Sequence, residues 1–416
     1  MRVSMGLEDI LYRRSKIFKH EERLQVDYVP TYLPHREQQL KMLALMFTPL
    51  INEPGSTSQK IILTGRVGTG KTAVAKYFGR EIKKIGDRKG IKINYVHVNC
   101  HKNRSLFLLM RKTARDLKLP VPPRGFSSQE LVGIVSNMLE ERDEYLLLTL
   151  DEADYLIRAT DGDALYNLSR ISDEAIHEHK RVNFIFIMRD LSAMYLLDDS
   201  VRSTLQHNII RFDPYTSSQI CDILWARVTE EEALYPEAIG EGIIEHIGDL
   251  VGYERGGKGD ARLALETLWR AGKYAEAEGA SEIGIEHVRK AYSDSLIATS
   301  ADISALRLHE AILLMAIAKM LKMTGFRRIK LGDAEKMYEV ICEQLGESPR
   351  GHTKIWEYVQ SLKNMGIIEA EKSGKGIRGK STLIEIPAIP LDTLEKMLWE
   401  HLKGLRKSGS RRRNVF

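Results

Sequence analysis

No stretch of the 416 residues is apolar for long enough to cross a bilayer, which excludes a chain built on membrane-spanning helices. The opening residues, MRVSMGLEDILYRRSKIF, lack the apolar core of a secretory signal, so a cytoplasmic protein without a membrane partner is expected. Cysteine is scarce. Cys100, Cys221 and Cys342 lie far apart in mostly apolar segments, with neither ligand spacing nor an even framework, and read as buried thiols rather than a disulfide scaffold or a metal site. Acids are missing from residues 403–413, where Lys403, Arg406, Lys407, Arg411, Arg412 and Arg413 stand unopposed. That segment outweighs the formal charge of +5, so net charge argues for nucleic acid nowhere except at the basic end, which also reads as a solvated tail.

What is present is globular composition, 43% hydrophobic and 29% charged, over a length that predicts two or three domains. After a helical pattern at 36–47, strand and helix signals alternate. The strands are IILTG (61–65), INYVHVNC (93–100), LLLTLDEAD (146–154), VNFIFIM (182–188) and NIIRF (208–212). Short apolar strands without alternation, separated by helices, predict an α/β fold with a five-stranded parallel sheet covered on both faces. Residues 216–298 then read as a small helical lid domain. Residues 299–403 follow as a third domain, opened by the linker SADIS, with helices at 308–323, 333–345 and 353–364, strands at 367–372 and 381–386, and a last helix at 391–403. A basic tail at 404–416 ends the chain.

GRVGTGKT fits G-x-x-x-x-G-K-[ST], directly after a predicted strand and opening a predicted helix. Gly65, Arg66, Val67, Gly68, Thr69, Gly70, Lys71, Thr72 and Ala73 therefore form a phosphate cradle for ATP or ADP. Backbone amides and the helix N-terminus face the phosphates, Lys71 neutralises them, and Thr72 ligates Mg²⁺. LLLTLDEAD supplies the acids: Asp151 on the metal side, Glu152 to polarise an attacking water, on a strand expected beside that of the P-loop. Acids also favour helix N-termini, but the P-loop upstream makes this pair a Walker B motif. Arg189 and Asp190 follow the fourth strand and emerge at the same sheet edge. Arg262, in GGKGDARLALETL, stands where a guanidinium can report the γ-phosphate by domain closure, although a surface arginine of an amphipathic helix has the same pattern.

These motifs, with YVPTYLPHREQQL, YVHVNC and a final domain ending in a basic wing, resemble the AAA+ ATPases. Among them they resemble the archaeal origin-recognition and replication-initiator proteins, over nearly the whole chain. The resemblance implies that Leu33, Pro34, His35 and Arg36 lie near the adenine and that Arg262 is the second sensor arginine. It also implies duplex origin DNA, the replicative helicase and other initiator paralogues as partners, and an association with chromosomal DNA. Two positions depart from the family. Arg189 stands where asparagine is usual, and an arginine cannot accept a hydrogen bond, which implies slow or differently controlled hydrolysis. In LLDDSVRSTL the usual arginine is replaced by Ser200, leaving Arg202 as the nearest arginine for a neighbour's site.

For DNA, the helix TKIWEYVQSLKN sets Ile355, Val359 and Leu362 on one stripe and turns Thr353, Lys354 and Gln360 away from it, as a winged-helix recognition helix does; a generic amphipathic helix has the same pattern. The following hairpin tip carries Lys375, Arg378 and Lys380 among glycines, fit for close approach to phosphates. A second contact is expected in a helical insertion at about 104–130, at Arg124 and Phe126, whose alternative role is to anchor their loop. The competing reading is an AAA+ regulatory switch whose winged helix contacts proteins; the wing's basicity weighs against it.

Overall fold

The structure, a computed structural model, describes residue 12 and residues 14–121, 125–170, 179–324, 326, 328–372, 382–386 and 391–413. It divides into two compact units, Met1–Pro236 with Gly259–Glu266, and Glu237–Lys258 with Thr267–Phe416. Among the described residues no helix is long and apolar enough to cross a membrane.

In the first unit, helices α1 (Glu37–Met46) and α2 (Thr48–Asn52) precede the alternating run: β1 (Lys60–Gly65), α3 (Lys71–Lys89), β2 (Lys92–Asn99), α4 (Leu106–Asp116), α5 (Ser128–Glu141), β3 (Glu144–Asp151), α6 (Ala153–Ala159), α7 (Asp163–Arg170), β4 (Val182–Met188), α8 (Asp199–Leu205), β5 (Ile209–Phe212) and α9 (Ser217–Thr229). The five strands form one parallel sheet in the order β2-β3-β4-β1-β5. The expected adjacency of the P-loop and Walker B strands does not hold. β4 lies between them, since each strand-to-strand return needs a helical crossover and the later strand fills the central place.

Side chains alternate across the sheet, yet both faces are apolar because helices cover both. Ile62, Leu146, Leu148, Phe184 and Phe186 face a core shared with α4 to α8, while Ile61, Leu63, Leu147, Ile185 and Ile187 face one shared with α1 and α3. This parity fixes where function appears. Asp151 has the parity of Leu147 and therefore points to the α3 side, where the P-loop ends. Local signals set the helix ends: capping boxes Ser127/Glu130 on α5 and Thr216/Gln219 on α9, and left-handed Gly90 after α3.

The second unit contains α10 (Ile243–Val251), most of α11 (Ala261–Glu278), α12 (Ile285–Ser304), α13 (Leu308–Thr324), β6 (Ile329–Lys330), α14 (Leu331–Leu345), α15 (His352–Asn364), β7 (Glu369–Lys372), β8 (Thr382–Glu385) and α16 (Leu391–Arg413). Three antiparallel strands in the order β6-β8-β7 with α13 to α15 make the winged helix. Its core is the apolar α13, with Ala311 to Ala318 buried throughout, against Tyr338 and Ile341 of α14 and Ile355, Val359 and Leu362 of α15. The sequence reading differs at three places. SADIS is the last turn of α12, with Ile303 in the core; β6 is an additional two-residue strand; and α16 carries helix on to Arg413, through most of the expected tail.

Candidate functional site

The P-loop connects β1 to α3 through left-handed glycines. At Gly68, φ is 76° and an added Cβ would lie 1.8 Å from Asp260 Oδ1, so a side chain is excluded by conformation and by space. Gly70, also left-handed, is the N-cap of α3 and aims the first-turn amides into the loop. Lys71 is buried, and its Nζ donates to the carbonyls of Gly65 and Arg66, each at 2.5 Å. Burial above all draws its ammonium down to about 8; Asp151 opposes this, and Arg262 and Arg189 add to it.

Thr72 Oγ1 donates to Asp151 Oδ2 at 2.9 Å, joining the first turn of α3 to the end of β3. Asp151 Oδ1 accepts the Glu152 amide at 3.0 Å, and Oδ2 also meets His97 Nε2 at 3.2 Å. Burial by itself raises this carboxyl, but the hydrogen bonds from His97, Thr72 and the Glu152 amide prevail and hold it below the ordinary aspartate value. An ionised carboxylate and a hydroxyl 2.9 Å apart are hard oxygen donors at about one edge of an octahedron with bonds of roughly 2.05 Å, so the pair fits Mg²⁺.

Glu152 sits at φ 57° as the N-cap of α6, a left-handed position that costs a non-glycine residue energy. Both its oxygens are engaged: Arg189 Nη2 donates to Oε1 at 3.0 Å and Asn99 Nδ2 to Oε2 at 3.2 Å. Asp190 has another task, accepting the Ser192 amide at 2.7 Å to close the turn after β4. Arg202 is paired with Asp199 on its own helix.

Lys71, Thr72, Asp151, Glu152 and Arg189 line one cavity of about 430 Å³, which also takes in Arg262, Leu33 and Pro34 but neither Asp190 nor Arg202. Arg262 is held at the start of α11 by Asp260, whose Oδ1 accepts the Arg262 amide at 2.8 Å, while the Ala261 amide donates to Gly68 O at 3.1 Å. His35 and Arg36 support the wall from behind. His35 Nε2 meets Asp222 Oδ2 at 2.7 Å, and the buried Arg36 bonds Thr69 O and Asp213 O, both at 3.0 Å, beneath the ring of Tyr215, 3.8 Å away. The far wall was missed from sequence. Val26, Tyr28 and Val29 of the N-terminal arm face Ile223 and Arg227 of α9, tied by the buried Glu231, which accepts the Thr31 amide at 2.6 Å and the Tyr28 hydroxyl. His97 and Asn99 were missed too; their signal is the period-2 run Tyr95, His97, Asn99 in YVHVNC, which places all three on the α3 face of β2.

In the winged helix, Thr353 and Lys354 are exposed at the start of α15, with Lys354 Nζ on Glu357 Oε2 at 2.6 Å, and Gln360 is half-buried. Lys375, Arg378 and Lys380 lie outside the described residues, as does Arg124. Phe126 is half-buried and packs against the α/β core, as its alternative anchoring role requires.

The chain matches three family descriptions in succession: AAA domain over residues 55–193, Cdc6 AAA+ ATPase-type lid domain over 221–293, and CDC6, C terminal winged helix domain over 301–396. It is 39% identical over 404 residues to the ORC1-type DNA replication protein 2 of Sulfurisphaera tokodaii, covering 96% of this chain and 97% of that one. Among solved structures, the Aeropyrum pernix ORC1 protein in complex with DNA is 28% identical, with a TM-score of 0.62 over 93% of this chain and 98% of the other. The ADP form of Aeropyrum pernix ORC2 is 25% identical, with a TM-score of 0.68 over 93% and 98%. With a P-loop, a lid and a winged helix in this order and full-length identity at that level, the chain belongs to the ORC1-type DNA replication protein family.

Proposed function

We propose that this protein binds duplex replication-origin DNA under the control of ATP and initiates DNA replication from it. The observation that carries the nucleotide half is the contact of Thr72 Oγ1 with Asp151 Oδ2 at 2.9 Å beside the buried Lys71. Thr72 and Asp151 would hold Mg²⁺, which when bound neutralises and orients the β- and γ-phosphates. Lys71 meets the phosphates, Leu33 and Pro34 contact the base, Arg262 senses the γ-phosphate, and Glu152 orients the lytic water. Hydrolysis is slow, because Arg189 adjoins Glu152 in place of an amide that could accept a hydrogen bond.

The DNA half rests on family membership and on α15, which buries its apolar stripe and exposes Thr353 and Lys354. Gln360 flanks this face, and Lys375, Arg378 and Lys380 of the hairpin and Arg124 of the insertion supply phosphate contacts. A protein of this kind works on the chromosome in the cytoplasm and helps recruit or load the replicative helicase, with other initiator paralogues as further partners. Duplex binding measured with ATP, with ADP and in Lys71→Ala tests this reading. We expect Lys71→Ala to lose nucleotide binding and the ATP dependence of DNA affinity. Arg378→Ala should lower DNA affinity and its salt slope by about one while leaving ATP binding intact. Equal DNA affinity in all nucleotide states would contradict the proposal.

A further inference from the structure

Behind the Walker B aspartate lies a second layer that the motifs do not include. His97 is held on both sides: its Nε2 is 3.2 Å from Asp151 Oδ2 and its Nδ1 is 3.2 Å from the Tyr95 hydroxyl. The proton positions follow from the partners. A carboxylate facing a ring nitrogen at 3.2 Å offers an acceptor, so Nε2 carries the hydrogen and donates. Burial pushes the Tyr95 phenol well up, so it keeps its proton and donates to Nδ1. The result is a directed chain, Tyr95 O–H to His97 to Asp151, ending on the oxygen that Thr72 Oγ1 also meets. Its far end is packed in place, because a Cβ on Gly79 of α3 would lie 2.2 Å from the Tyr95 ring.

We propose that His97 is a positioning residue for the divalent-cation end of the nucleotide site, fixing the Asp151 carboxylate toward Thr72 through the Tyr95–His97–Asp151 chain. The proposal rests on the reading of this site as one for Mg²⁺ and nucleotide. An aspartate carboxylate turns about χ1 and χ2, and with one oxygen tied to the Glu152 amide it can still swing the other; a ring held from behind removes that freedom. His97 side-chain exposure of 17% and that of Asp151 at 12% place the contact where water competes little. The hydrogen-bond register agrees: His97 and Asn99 of β2 stand opposite Thr149 and Asp151 of β3, so the backbone, and not a mobile loop, sets the spacing.

The test separates the cation from the nucleotide. Affinity for a fluorescent ADP is measured with Mg²⁺ and with EDTA in the wild type, His97→Ala, His97→Asn, His97→Gln, Tyr95→Phe and Lys71→Ala. Glutamine can place an amide N–H where Nε2 stands, whereas asparagine is too short. We expect the EDTA affinity to be the same in all His97 variants. The gain in affinity on adding Mg²⁺ should shrink on the order of tenfold in His97→Ala and His97→Asn and be retained in His97→Gln. Tyr95→Phe, which keeps the packed ring, carries the test if His97→Ala does not fold, and should lose part of the same gain. An undiminished Mg²⁺ gain in every variant overturns the proposal, as does a loss that is equal with EDTA, since that marks a general structural defect. Wild type that binds no ADP, or binds it no better than Lys71→Ala, overturns the nucleotide reading and this inference with it.

Discussion

Replacing Arg189 with asparagine, the residue usual in the family at this position, should speed ATP hydrolysis. Arg189 Nη2 stands 3.0 Å from Glu152 Oε1, with the two side chains 59% and 29% exposed. At that exposure water screens the pair, and its worth is on the order of 0.2–1 kcal/mol. The pair occupies Glu152 Oε1, the oxygen that would otherwise meet the lytic water, and breaking a contact of that worth at about 1.36 kcal/mol per decade is a factor of up to about five in rate. The substitution also removes a positive charge from the phosphate end of the cavity, so triphosphate binding should weaken while ADP binding changes little. Steady-state phosphate release against ATP concentration reads both effects. The expected result is a kcat raised by up to about fivefold with a higher KM. An unchanged or lower kcat refutes the reasoning, and a fall of about tenfold or more would assign Arg189 to stabilising the transferring phosphate instead.

Three further outcomes follow from buried groups. Because burial draws Lys71 down to about 8, the free protein above that pH carries a neutral amine that must take up a proton to meet phosphate. ADP affinity should therefore be flat below pH about 8 and fall above it, toward tenfold per unit, in a fluorescence titration; an affinity that rises with pH contradicts this. Gly79→Ala drives a methyl into the Tyr95 ring and should cost about 1–3 kcal/mol, seen as a lowered Tm; an unchanged Tm would show that the ring moves freely. In the winged helix, His309 Nδ1 lies 2.7 Å from the Tyr338 hydroxyl, which accepts the Arg350 amide just before α15. Burial first, and then the charge of Arg350, hold the imidazole below its ordinary value. The unfolded chain thus binds the proton more readily, and the stability from neutral His309 is present above pH about 6.5 and lost as pH falls through the lower folded value. Unfolding by urea as a function of pH, in wild type and His309→Gln, should show this slope in wild type alone.

The central strands of the sheet were legible because helices cover both faces, which leaves β1, β3 and β4 as nearly unbroken buried runs. Strand neighbours were not, since parity and length say nothing of which strand fills the centre; hence β4 between β1 and β3. The residues SADIS resemble a linker by composition, but alanine and serine continue a helix, and Ile303 buries itself in the next domain's core. The P-loop was legible from its spacing, which in turn singled out Asp151 and Glu152 as Walker B acids, while Arg262 was legible only through the family pattern. His97 and Asn99 carry no such signal: a polar residue at every second position of an edge strand reads as a wet face until β3 is placed beside it. The N-terminal arm escaped for the same reason, because Glu231, about 200 residues away in sequence, is what ties Tyr28 and Thr31 to the cavity.

The central claim is recognition of an origin by an ATP-controlled protein, and the most direct measurement is selection on DNA. Purified wild-type protein with ATP and Mg²⁺ at about 0.15 M salt, a concentration at which non-specific phosphate attraction is weak, is challenged with sheared DNA from its own genome, and the retained fragments are sequenced. Enrichment of one or a few discrete loci, lost in Lys71→Ala, is the expected result. Uniform retention of fragments contradicts the claim and marks a non-specific DNA-binding ATPase, whereas no retention contradicts it and favours an AAA+ switch whose winged helix contacts proteins.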